Sequence, residues 1–79
     1  MNELRKLRNW AKAIESTIGV KTVVNEETEE GIRQGTIEEG ERYYSVMSDG
    51  ERFGSITAYS NQTYYLYIYE ADDEIQIFI

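Results

Sequence analysis

The sequence predicts an α+β fold: one N-terminal amphipathic helix packed on one face of an antiparallel β-meander of four to six strands. Three observations lead there. Apolar residues recur every three or four positions up to Ile18 and every two positions beyond Gly19, so the period changes once. Asp49-Gly50, the strongest short hairpin signal in the chain, sits between two alternating segments. No proline and no Ser-rich linker interrupts the 79 residues, a length for one domain near the lower limit of independent folding.

The helix is expected over residues 3–18. Leu4, Leu7, Ala11, Ile14 and Ile18 make one stripe, bordered by Trp10 and Arg8, while Arg5, Lys6 and Lys12 lie away from it. Asn2 suits the N-cap and Gly19 the stop. Strands are expected at about 20–25, 32–38, 41–48, 51–59, 63–70 and 74–79. The run Glu26–Glu30 is too acidic to bury and reads as a turn or an exposed strand end. Gly35 would mark a bulge in the weaker second strand. Asn61-Gln62 makes another turn. The Asn61-Gln62-Thr63 triplet fits that polar turn better than a glycosylation acceptor, because no secretory signal accompanies it.

The final segment, TYYLYIYEADDEIQIFI, predicts a hairpin with two different faces. Placing Tyr69 opposite Glu74 sets Ile68 against Ile75, Leu66 against Ile77 and Tyr64 against Ile79, a core face. The other face then pairs Tyr67 with Gln76 and Tyr65 with Phe78. In the central hairpin the two-residue turn sets Val46 against Phe53 and Tyr43 against Ile56. A single helix covers only one side of the sheet. The open side therefore carries Tyr65, Tyr67 and Tyr69 where polar residues would be usual. Tyrosine stabilises strands through cross-strand pairs, and it is also enriched at the centres of protein interfaces.

Charge narrows the function. Residues 1–21 hold five cations against two acids, a balance of +3. Residues 22–79 hold three against thirteen, a balance of −10, for a net −7. Such a field repels nucleic acid and anionic lipid and attracts basic surfaces. No apolar run approaches the roughly 20 residues of a membrane helix, and neither terminus reads as a targeting segment. The expected location is the cytoplasm, of a cell or of an infected host cell, with no membrane partner. The absence of cysteine fits a reducing compartment.

Chemistry finds little support. Histidine is absent, which removes the commonest general base and the commonest transition-metal ligand, and no histidine or cysteine accompanies Ser, Thr and Tyr to support nucleophilic catalysis. Neither Glu70–Glu74 nor the other acidic runs follow a calcium-loop pattern, and Gly31 and Gly35 lack the lysine and hydroxyl of a phosphate loop. No catalytic, cofactor or metal residue is expected, and the chain reads as no enzyme. What remains is acids interleaved with tyrosines, with Tyr65, Tyr67, Tyr69, Glu70, Asp72, Asp73, Glu74, Glu38, Glu39 and Glu41 as candidate partner-binding residues. Spaced carboxylates on a rigid scaffold can imitate nucleic-acid phosphates and pair with a partner's Arg and Lys. In size and charge the chain resembles small acidic inhibitors made by phages and other mobile elements, including some anti-CRISPR proteins and DNA mimics. The expectation is a non-enzymatic protein-binding module that occupies a basic site on a nucleic-acid-handling protein. The alternative is a self-associating domain, a homodimer built on the tyrosine face or on the C-terminal strand.

Overall fold

The computed structural model describes residues 2–79 and holds one helix followed by a five-stranded antiparallel sheet, with a second short helix between the first two strands. Helix α1 spans Glu3–Ile18. Asn2 caps it, its Oδ1 accepting from the Leu4 amide at 2.9 Å. Gly19 ends it in the left-handed region at φ 74°, where its amide donates to the Glu15 carbonyl at 2.8 Å. Both limits follow the sequence. Along the predicted stripe, Leu7 and Ala11 are fully buried, and Leu4 and Ile14 are half-buried. The Ile18 side chain lies outside the described residues.

The strands are β1 (Val23–Glu26), β2 (Arg42–Ser48), β3 (Glu51–Ala58), β4 (Tyr64–Ile68) and β5 (Asp73–Ile77), paired in sequence order. The meander thus holds, with five strands. The segment expected to form a strand at 32–38 does not. Helix α2 (Thr28–Arg33) and a loop replace it. Glu29 and Glu30 favour a first helical turn, Arg33 favours the last, and Glu30 binds both Arg33 and Gln34 one turn on. Gly35, at φ 76°, follows the helix as a stop rather than marking a bulge. Gly31 is buried against Ile37 and Tyr43, with room for nothing larger, and this contact seats α2 on the outer side of the sheet.

Two registers differ from expectation. Asp49 (φ 51°) and Gly50 (φ 77°) form the expected two-residue turn and pair Ser48 with Glu51 and Met47 with Arg52. Beyond them a bulge at Phe53 sets Val46 against Gly54 and Tyr44, not Tyr43, against Ile56. The extra residue lets Phe53 pack on the core and brings Ile56 and Ala58 inward beside Val46 and Tyr44, whose own alternation along β2 leaves Tyr43 outward. Gly54 is obligatory there, because a Cβ would stand 2.2 Å from the Tyr67 carbonyl oxygen. In the last hairpin Leu66 faces Ile75, Tyr67 faces Glu74 and Tyr65 faces Gln76. This is a shift of two residues from expectation, so both faces keep their composition. Asp72 decides it: it takes a left-handed conformation at φ 50° and donates its amide to the Tyr69 carbonyl, closing the turn one step early. Phe78 consequently lies beyond the strand, 81% exposed, and opposes no tyrosine.

The core forms between α1 and the inner face of the sheet. Leu7 and Ala11 meet Val24, Tyr44, Val46, Ile56, Ala58, Leu66 and Ile77. Fully burying a side chain such as Leu7 contributes about 1.5–3 kcal/mol. The helix lies nearest β1, so the β4–β5 side of the inner face is less covered. An apolar crevice of ≈ 210 Å³ opens there beside Trp10, Ile14, Phe53, Ile68 and Ile75. No helix among the described residues is long and apolar enough to cross a membrane.

Candidate protein-interaction face

The outer face of the sheet gathers five of the seven tyrosines. Alternation along β4 sends Tyr65 and Tyr67 outward, with Tyr69 just beyond the strand end. Alternation along β2, with Tyr44 and Val46 inward, sends Tyr43 to the same side, and the β3–β4 turn brings Tyr59 over it. Tyr59 and Tyr65 meet edge to face with ring centres 5.6 Å apart, and Tyr67 and Tyr69 do so at 5.3 Å. Between them lies an open cleft of ≈ 360 Å³. Ser55 and Thr57 of β3 line it beneath Tyr43, Tyr59, Tyr67 and Tyr69, and Glu41 and Glu74 border it.

Of the ten residues that the sequence marks, the structure brings Tyr67, Tyr69, Glu41 and Glu74 to this cleft, with Tyr65 against its Tyr59 wall. Asp72 joins them through the Tyr67 hydroxyl, which donates to its carboxylate. Glu38 and Glu39 sit on the exposed loop before β2, where the Glu38 amide donates to Glu41 Oε1 at 2.9 Å. Glu70 in the β4–β5 turn and Asp73 at the start of β5 lie at the end of the sheet that also carries the Asp49-Gly50 turn, and Glu70 shares a shallow depression with Asp49 and Glu51. The acids therefore form two groups, one bordering the cleft and one along the turn end. Tyr43 and Tyr59 are the members that sequence reasoning missed. Alternation along β2 is the signal that could have found Tyr43, because a core Val46 puts Tyr44 inward and Tyr43 outward.

No cation among the described residues pairs with Glu41 or Glu74, although the Arg52 guanidinium reaches the Tyr69 hydroxyl. Among the described residues the ion pairs are Arg33–Glu30, Arg42–Glu3 at 2.7 Å and Arg52–Glu27 at 3.1 Å. Arg5, Lys6, Arg8 and Lys12 are exposed on α1, on the other side of the sheet, and Arg8 Nε donates to the Val24 carbonyl at 3.1 Å. None of these helix cations forms an ion pair with the acidic sheet among the described residues. Near the cleft, burial raises the Tyr43 phenol. Burial acts the same way on Tyr69, but the Tyr43 hydroxyl and the Arg52 guanidinium outweigh it and hold that phenol below its ordinary value.

A second polar constellation lies at the other side of the sheet and went unmarked in the sequence. Arg42 Nε and Nη2 donate to the two Glu3 oxygens at 2.9 and 2.7 Å, the Tyr44 hydroxyl donates to Oε1 at 2.5 Å, and the Tyr64 hydroxyl donates to Oε2 at 2.8 Å. The Arg42 hydrogen bonds, helped by both phenols, outweigh partial burial and lower the Glu3 carboxyl to about 2. All its oxygens are occupied by the chain's own groups, so this cluster clamps the start of α1 to β2 and β4 rather than receiving a ligand. Among the described residues no three acidic side chains converge closely enough to hold a metal ion.

No known protein family, curated protein or solved structure matches this chain.

Proposed function

We propose that this chain is a non-enzymatic, acidic protein-binding module that occupies a basic site on a nucleic-acid-handling protein, as an inhibitor or nucleic-acid mimic. One observation carries the reading: a cleft walled by tyrosines and bordered by Glu41 and Glu74, with no lysine or arginine among the residues that line it. Amphipathic aromatics supply a rigid contact centre, and carboxylates around them supply charge complementarity. The −10 balance of residues 22–79 speaks against direct binding of nucleic acid and for a basic partner. The proposed setting is the cytoplasm, of a cell or of an infected host cell.

The test is capture of partners from a host lysate on tagged protein, with and without nuclease, across a salt series. A basic nucleic-acid-handling protein that survives nuclease and elutes with moderate salt is the expected result. Changing Glu70, Asp73 and Glu74 to Lys together, with Asp72 kept because it closes the turn, should abolish that capture. Retention unaffected by salt and by the triple change would defeat the reading. Self-association is the second reading, favoured by β5 at the sheet edge with Ile75 45% exposed. Light scattering over a concentration series separates the two.

A further inference from the structure

Resting on that reading, we infer that the tyrosine cleft is a slot for one arginine side chain of the bound protein, the guanidinium lying against the phenol rings between Glu41 and Glu74. The cleft offers what a guanidinium needs and an ammonium uses less well. Its walls, Tyr43, Tyr59, Tyr67 and Tyr69, expose ring surface against which a planar cation stacks. Thr57 on its floor carries a hydroxyl acceptor, while the buried Ser55 hydroxyl serves the Tyr43 and Tyr69 phenols. Arginine has five N–H donors in a fixed fork and loses less hydration on entering such a site than lysine does.

The charge balance of the cleft is incomplete without a cation. Glu74 is exposed, and its carboxylate takes part in no ion pair or side-chain hydrogen bond among the described residues. One oxygen of Glu41 holds the Glu38 amide, which points the carboxylate while leaving its charge unpaired. Burial and the neighbouring Glu74 and Glu41 carboxylates push the Tyr59 phenol up, so both charges are felt at one hydroxyl on the cleft wall. The chain's own nearest arginine, Arg52, is bound by Glu27 at 3.1 Å and reaches the Tyr69 hydroxyl at the edge of the cleft, but pairs with neither Glu41 nor Glu74. An anion is excluded by the same charges.

N-acetyl-arginine amide titrated into the whole protein, followed by NMR of the backbone amides, tests this directly. The expected result is saturable shifts confined to Ser55, Thr57 and the Glu74 neighbourhood, weaker with the lysine amide and absent with the uncharged citrulline amide. Glu74→Gln should weaken arginine binding roughly two- to fivefold, the upper part of the range that loss of one exposed ion pair gives, and Tyr59→Leu should weaken it with the sheet signals unchanged. Shifts centred on Asp49, Glu51 and Glu70 instead, equal affinity for lysine and arginine, or full binding by both variants would overturn the inference. A basic partner still captured at full strength by Glu74→Gln overturns the slot and leaves the acidic-module reading standing. An arginine amide seated in the cleft with no basic partner captured supports the slot and removes that reading.

Discussion

Replacing Glu3 by Gln should reveal how much of the fold hangs on one carboxylate. In the native protein its two oxygens take two hydrogen bonds from Arg42 and one each from Tyr44 and Tyr64. A carboxyl lowered from 4.5 to about 2 on folding stabilises the charged native state. That shift alone corresponds to about 3 kcal/mol at neutral pH. The Glu3 side chain is 22% exposed, so solvent screens the pair and we expect roughly 1–2 kcal/mol in practice. Because the folded value is depressed, the contribution is fully present above 4.5 and is lost as the pH falls from there toward 2. Urea unfolding followed by circular dichroism, for both proteins from pH 7 to pH 2, isolates the effect from the other carboxylates by difference. Glu3→Gln should be less stable at pH 7, with a melting temperature roughly 4–16 °C lower, and the two curves should converge near pH 2. Parallel curves across the whole range, or equal stability at pH 7, would refute the clamp.

Leu7→Ala removes the fully buried centre of the helix stripe and should cost about 2–5 kcal/mol, a loss that equilibrium unfolding will register and that can leave so small a domain unfolded. Half-buried Ile14 at the crevice should cost less than Leu7 in the same measurement. Gly54→Ala puts a methyl 2.2 Å from a backbone oxygen, and the strands must part to admit it, so we expect a loss of roughly 3 kcal/mol or more, read as a lowered urea midpoint. Asp72→Asn retains both the left-handed turn and an acceptor for Tyr67, so its melting temperature should stay near that of the native protein, whereas Asp72→Val should lower it.

The parts of this fold that local chemistry determines were legible in the chain. Helix α1 has a periodic stripe with a capping Asn2 and a terminating Gly19, and the Asp49-Gly50 turn needs only its two residues. The division of the last hairpin into an apolar and a tyrosine face was legible too. Its register was not, because a slip of two residues preserves alternation and only the conformation of Asp72 distinguishes the two pairings. Helix α2 escaped because six residues carry no readable period, and its seat is a tertiary contact of Gly31 with Tyr43 and Ile37. The bulge at Phe53 escaped for a related reason: the Tyr67 carbonyl that requires a glycine beside it, at Gly54, lies on another strand. For the tyrosine cleft this meant that Glu41, Tyr67, Tyr69 and Glu74 of its lining were marked in the sequence while Tyr43 and Tyr59 were not. Glu3 was invisible as a clamp, since its partners lie 39, 41 and 61 positions away.

The division of aromatic residues between the two sides of the sheet also makes the molecule optically two-sided. Its single tryptophan, Trp10, looks onto the apolar crevice between α1 and the inner face, whereas five of its seven tyrosines lie on the outer face. Tryptophan emission therefore reports whether the helix stays docked. Tyrosine difference absorbance reports chiefly what arrives at the opposite surface. Loosening and ligation can be followed separately in one unlabelled sample.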